Sequence, residues 1–143
     1  MQVGTLRNNM TLDLVRSVAT NVRYWAEAQA ARENNTDLCG WCARASAHLF
    51  RELKKIGINS EIHLWEEFGT RFAHVFLVVE DHVVDVTATQ FPQFKNTDVV
   101  ILHEAEAKAY EFYKTFRTFR NDVELRKHQL KEKWPKHQVA FTK

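Results

Sequence analysis

A cysteine at the mouth of a helix, and a histidine and an aspartate on adjoining strands, are the residues of this chain whose types and spacing carry chemistry. The run Asp37-Leu38-Cys39-Gly40-Trp41-Cys42-Ala43-Arg44-Ala45-Ser46 marks where a polar, turn-prone segment stops and an apolar-periodic helix begins. A thiol in the first turn of a helix feels the positive end of the macrodipole and the unpaired backbone N–H groups. Both favour the thiolate, which is the nucleophilic form. Cys42 falls where the apolar period starts and Cys39 lies in the approaching loop, so Cys42 is the preferred nucleophile. Against this stands the reading of Cys42 as a small buried hydrophobe.

His74 and Asp85 supply a base and an acid to orient it. A hairpin with a two-residue turn sets Val79 opposite His82, His74 opposite Thr87 and Asp85 opposite Phe76. The two polar residues then become diagonal neighbours on one face, with Cα atoms about 7–8 Å apart. A carboxylate accepting from one imidazole nitrogen leaves the other free to face a thiol. A slip of one residue in the register turns Asp85 to the opposite face and destroys the arrangement. A carboxylate inside Val83-Val84-Asp85-Val86 is expensive to bury without a partner, which argues that one is present.

The elements that must position these groups follow from periodicity. Apolar residues at helical spacing predict a first helix from Leu12 to about Ala31, capped by Thr11. A second helix starts near Cys42, with Ala45, Leu49, Leu53 and Ile56 on its buried stripe, and stops at Gly57. Ile58 to Glu66, Phe72 to Val79 and His82 to Ala88 read as strands, with Phe68-Gly69-Thr70-Arg71 and Glu80-Asp81 as turns and a short fourth strand over Asp98 to Leu102. Helix is expected again from Glu104, broken near Arg120-Asn121-Asp122, with a last helix from about Val123 to Trp134 ended by Pro135. The expected fold class is α+β, one domain over residues 1–143, with a cysteine-bearing helix on a small antiparallel sheet and flanking N- and C-terminal helices.

The order Gly40-Trp41-Cys42, Phe50-Arg51-Glu52-Leu53, Gly57-Ile58, His74-Val75-Phe76, Asp85-Val86-Thr87 resembles the core of the transglutaminase-like branch of the papain-like cysteine enzymes. The likeness covers about residues 37–91. Cys39-Gly40-Trp41-Cys42 is similar to the Cys-Gly-x-Cys run of papain, whose second cysteine is catalytic. Asp85-Val86-Thr87-Ala88-Thr89-Gln90-Phe91 is similar to papain-like bacterial toxin and effector domains, some of which deamidate glutamine. The resemblance implies a Cys42, His74, Asp85 triad and a thioester intermediate formed on a carboxamide, in a glutamine deamidase, cysteine protease or transglutaminase. Papain-type proteases carry an oxyanion-donating glutamine six residues before the cysteine, and Thr36 stands there instead. The oxyanion donors are therefore sought in the Cys42 backbone N–H and in Asn34, Asn35 or Trp41, with Gln90 as a brace or a substrate contact.

The chemistry calls for no cofactor and no metal. Two other readings of Cys39-x-x-Cys42 are a redox pair, which should follow a strand, and a zinc site, which needs two more ligands. A catalytically inactive papain-like binding module is the alternative of a different class. His63, His82, His103, His128 and His137 read as surface or structural, and Trp65 and Phe68 as core more than cleft.

Net charge is only +2, but it is unevenly spread: residues 1–106 hold ten Lys/Arg against fourteen Asp/Glu, and residues 107–143 hold ten against four. The basic end, about 104–143, is expected to be a helical segment packed on an acidic body or met by an acidic partner. Nucleic acid ranks low, because no aromatic, glycine-rich pattern interleaves with these charges. No apolar run reaches the ~18 residues that span a bilayer, and the N-terminus has no apolar leader core. The expected setting is cytoplasmic, and the expected partner a protein or peptide substrate.

Overall fold

The computed structural model describes residues 2–70 and 72–142, and side chains from Met10 onward. Arg71, expected in a turn, lies outside the described residues. The fold is mixed α+β. Helix α1 (Gln2–Ala31) and helix α2 (Cys42–Lys55) lead into a five-stranded antiparallel sheet: β1 (Glu61–Glu66), β2 (Ala73–Val79), β3 (His82–Asp85), β4 (Val100–His103) and β5 (Arg117–Phe119). The short α3 (Glu104–Ala107) and then α4 (Asp122–Lys131) complete the helices. The strands lie in the order β4-β3-β2-β1-β5, so β2 is central.

Because β2 is buried on both faces, its sequence AHVFLVV is almost continuously apolar. Val75, Leu77 and Val79 join Ile62, Leu64 and Val84 in the core beneath the helices. Phe76 on the other face joins Trp65, Val83, Phe91, Val100, Phe112 and Tyr113 in a second, aromatic core. The α1 residues Val15, Ala19, Val22, Ala26 and Ala30 keep helical spacing and are almost fully buried. The alanines among them let α1 lie close on α2. Every α2 residue from Cys42 to Ala47 is buried, and Ser46 Oγ donates to Val75 O (3.1 Å), which pins the helix to the central strand.

Several boundaries differ from the periodicity reading. Helix α1 continues back to Gln2, so Thr11 is inside it and caps nothing; an interior threonine costs under about 0.7 kcal/mol and does not end a helix. Strand β1 begins at Glu61, not Ile58, and β3 ends at Asp85, not Ala88, because the chain bends there into a 3-10 turn over Ala88–Gln90. The largest correction falls on the segment expected to be helical from Glu104. Helix stops after Ala107; Phe112 and Tyr113 turn into the aromatic core, and β5 pairs along the free edge of β1 (Ile62 opposite Phe119). Tertiary burial of these aromatics outweighs a local helix preference that amounts to a few tenths of a kcal/mol per residue. The basic end is thus a mixture of strand, helix and 3-10 turns. No helix among the described residues is long and apolar enough to cross a membrane.

A buried arginine ties α1 to the exit of β3. Arg23 Nη1 donates to Val86 O (3.0 Å) and to Thr89 Oγ1 (2.9 Å). Its acidic neighbours, Glu27 at 3.5 Å and Asp98 at 3.7 Å, are largely exposed and would stay solvated without it. The loss in Arg23→Leu is therefore mainly two charge-assisted hydrogen bonds, and urea unfolding should show a destabilisation of about 2–3 kcal/mol.

Candidate active site

The helix mouth is built by the loop before it. Asn35 Oδ1 accepts from the N–H groups of Leu38 (2.8 Å) and Asp37 (3.2 Å), and its Nδ2 donates to Cys39 O (2.9 Å). Asp37 Oδ1 accepts from Cys39 N (2.9 Å). Leu38 (φ 61°) and Gly40 (φ 79°) take left-handed conformations, and Gly40 adopts its own without the strain a side chain would add. Arg44 stacks 3.6 Å from the Trp41 ring centroid and forms a bidentate pair with Glu33, both bonds 3.0 Å. Asn35 and Trp41, considered at the sequence level as oxyanion or substrate contacts, have their side chains inside this scaffold: Asn35 is committed to its own loop, and Trp41 is buried under Arg44 and against Trp25. Their effect is to fix the first turn of α2, with the buried Cys42 at its head, at the edge of a cleft.

Around Asp85 lies a saturated network. Val79 faces His82, the register the sequence required. His74 Nε2 stands 2.7 Å from Asp85 Oδ2, and Tyr113 donates its hydroxyl to the same oxygen at 2.7 Å. Asp85 Oδ1 accepts from Thr87 N (2.9 Å) and Thr87 Oγ1 (3.3 Å). A carboxylate has about four lone-pair sites, so this one is fully used. Burial by itself would raise the Asp85 pKa; the imidazolium charge and the hydrogen bonds from His74, Thr87 and Tyr113 overcome it and hold the carboxyl below its ordinary range. Burial alone would likewise lower the His74 pKa. The charge and hydrogen bond of Asp85, and then the hydrogen bond and charge of Cys42, reverse that and push it up to about 10. Tyr113 is raised by its burial and by the Asp85 charge, so its hydroxyl stays protonated and donates.

With Nε2 taken by Asp85, Nδ1 is the ring nitrogen left for a further partner, and Cys42 is among the groups that act on this ring. Gln90 shares that side: its amide nitrogen is 3.3 Å from Nδ1 and donates to Thr87 O (3.1 Å). The ring is further held by Phe91, edge-on at 4.8 Å between centroids, which in turn stacks on Phe112 at 3.8 Å. His74 and Asp85 are essentially sealed from solvent, whereas Cys42 opens onto a cleft of about 370 Å³. Cys39, Gln90 and Gln138 share that cleft, with Phe72, Trp134 and Pro135 as its apolar wall.

Of the six residues considered for the site, His74 and Asp85 are hydrogen-bonded, Cys42 acts electrostatically on His74, Gln90 lies beside its Nδ1, and Asn35 and Trp41 support the helix mouth from outside. Tyr113 was not recognised from the sequence. A single tyrosine in an apparently helical run carries no signal of its long-range partner. Trp65 lies in the aromatic core and donates to Glu111 Oε2 (3.3 Å), and Phe68 is fully exposed. Among the described residues no group of three or more His, Cys, Asp or Glu side chains is arranged to hold a metal ion. Comparison of the chain with protein-family models, curated proteins and solved structures gives no match.

The His74–Asp85 pair makes stability depend on pH in a defined way. The raised histidine contributes fully below its unfolded value of 6.5 and loses that contribution as pH climbs toward about 10. The lowered aspartate contributes fully above its unfolded value of 3.8 and loses it as pH falls below. Urea unfolding of wild type and His74→Asn across pH should give the largest stability difference between about pH 4 and 6.5. Above that window the difference should shrink with a slope approaching one proton, about 1.4 kcal/mol per pH unit.

Proposed function

We propose that this protein is a cysteine-dependent hydrolase or acyltransferase acting on a carboxamide, with Cys42 as nucleophile, His74 as proton carrier and Asp85 as the group that orients and charges it. The observation that carries this reading is the buried hydrogen-bonded line Tyr113–Asp85–His74, whose imidazole feels the Cys42 thiol, with Cys42 lining a cleft. A buried imidazole that Asp85 holds in its charged form, with Cys42 among the groups acting on it, is the partner a nucleophilic thiol requires. An inert core cysteine has no use for a buried carboxylate two residues along such a relay. The α+β architecture, with the cysteine at a helix head and the His and Asp on antiparallel neighbours, supports assignment to the papain-like, transglutaminase-like fold that the motif order resembles.

The chemistry follows from the positions. The Cys42 thiolate attacks the carboxamide carbon, and the C=O electron pair moves onto oxygen beside the first-turn N–H groups of α2. The tetrahedral intermediate collapses as His74 Nδ1 gives its proton to the departing nitrogen, leaving a thioester on Cys42. The thiolate charge and its hydrogen bond to His74 are then gone, and with them two of the influences that raise the imidazole. Its affinity for a proton falls at the step where it must take one from water or from an acceptor amine. Water completes a deamidase or protease; an amine completes a transglutaminase.

Two measurements test this. Iodoacetamide at about pH 6 should modify Cys42 well before Cys39, with the preference lost in His74→Ala; sluggish, equal labelling of both favours the inactive binding module. Intact-mass analysis of a glutamine-rich protein after incubation should show a change with wild type and none with Cys42→Ala. A gain of about one dalton per site marks deamidation, fragments mark proteolysis, and crosslinked products with ammonia loss mark transglutamination.

A further inference from the structure

We infer that Gln138, at the far end of the chain, is the second oxyanion donor of this site, standing in for the glutamine that is missing at position 36. The inference rests on the acyl-transfer reading above. Its starting point is Gly40. A Cβ on Gly40 would come within 3.2 Å of both Gln138 Cγ and Nε2 and 3.4 Å of Cδ, so the carboxamide of Gln138 lies flat against the glycine two residues before the nucleophile. Gln138, Gly40 and Cys42 line the same cleft.

The other amides near the sulfur are already committed. Asn35 is bound into its own loop, and the Gln90 amide nitrogen donates to Thr87 O. Among the described residues, the Gln138 carboxamide donates to no protein acceptor, so its N–H groups are left to the cleft.

The main chain around Gln138 is fixed as a donor's support has to be. Its N–H donates to Pro135 O (2.9 Å), closing a 3-10 turn. Its carbonyl accepts from Gln129 Nε2 (3.1 Å), while Gln129 Oε1 accepts from Ala140 N (2.8 Å). Gln129 is completely buried on α4 and uses both ends of its amide to hold the strap that carries Gln138. Arg126 Nη1 donates to Ala140 O (2.7 Å), and Arg51 Nη1 from α2 donates to Phe141 O (2.6 Å). The C-terminal strap is thereby locked to the same helix that carries the nucleophile, and it sets Gln138 in the cleft that Gly40 and Cys42 also line.

The test compares two reactions of one sulfur. With p-nitrophenyl acetate, the thiolate forms a C–S bond, the C=O pair moves to oxygen, and collapse breaks the C–O bond to release p-nitrophenolate; an oxyanion forms on the way. With iodoacetamide, the thiolate displaces iodide at a saturated carbon and no oxyanion forms. Gln138→Ala, and Gln138→Met as a variant of matching length that still covers Gly40, should each slow acetylation of Cys42 by roughly 10²-fold. Alkylation should change by less than about twofold. Acetylation at the wild-type rate in the Met variant overturns the inference and leaves the nucleophile standing. An equal fall in both reactions in that variant also overturns it, since it marks a merely structural residue. Wild-type Cys42 that alkylates no faster than Cys39 overturns the acyl-transfer reading itself, and the inference with it.

Discussion

A carboxylate with no solvent exposure can exist in a sheet only if its charge is matched on every side, and much of this molecule is arranged around satisfying Asp85. Two short bonds of 2.7 Å reach one oxygen, from His74 and Tyr113, and the bend after β3 turns Thr87 back onto the other. Desolvating an unpaired carboxylate costs several kcal/mol, more than any single contact returns. The charge is tolerable because imidazolium, phenol and backbone donors converge on it together. That requirement explains why the segment after α3 abandons helix: Tyr113 must reach across the sheet. It also explains Arg23, whose guanidinium holds Val86 O and Thr89 Oγ1, one residue before and two after Thr87.

The helix mouth meets a different requirement, which is to seat Cys42 at the edge of a cleft beside a sealed network. The 35–40 turn is closed by its own side chains, and Arg44 clamps Trp41 to Glu33 across the start of α2. The stacking on Trp41 and the two 3.0 Å bonds to Glu33 pair the charge of this buried arginine, while its Nε has no partner. Cys42 lines the cleft at the head of this braced turn.

What the sequence made legible follows from what is local. The His74–Asp85 pairing depended only on a two-residue turn and strand alternation, and the ladder with Val79 opposite His82 has that register. The position of Cys42 at the head of α2 followed from an apolar period that begins there. The order of strands β1 to β4 came from alternation and turns, with ends displaced by up to three residues. The start of α1 was misplaced because Thr11 is a good cap in isolation and nothing from Gln2 to Met10 stops a helix. Over residues 108–119 the local pattern was helical, but the decisive energies were non-local: Phe112 stacking on Phe91 and the pairing of β5 with β1. Tyr113 and Gln138 were out of reach for the same reason. Each meets its partner across a long stretch of chain, and neither residue type announces that meeting.

The basic C-terminal segment directs part of its charge into the fold. Its excess of Lys and Arg invited an acidic partner, yet some of those groups work internally: Arg126 on a backbone carbonyl of the strap, Arg120 on Glu124, and Lys114 on Glu111. The segment supplies Tyr113 to the carboxylate, β5 to the sheet edge, Trp134 and Pro135 to the cleft wall, and Gln138 to the helix mouth. The cysteine, the hairpin and the strap are separate in sequence and become neighbours only when the whole domain has folded.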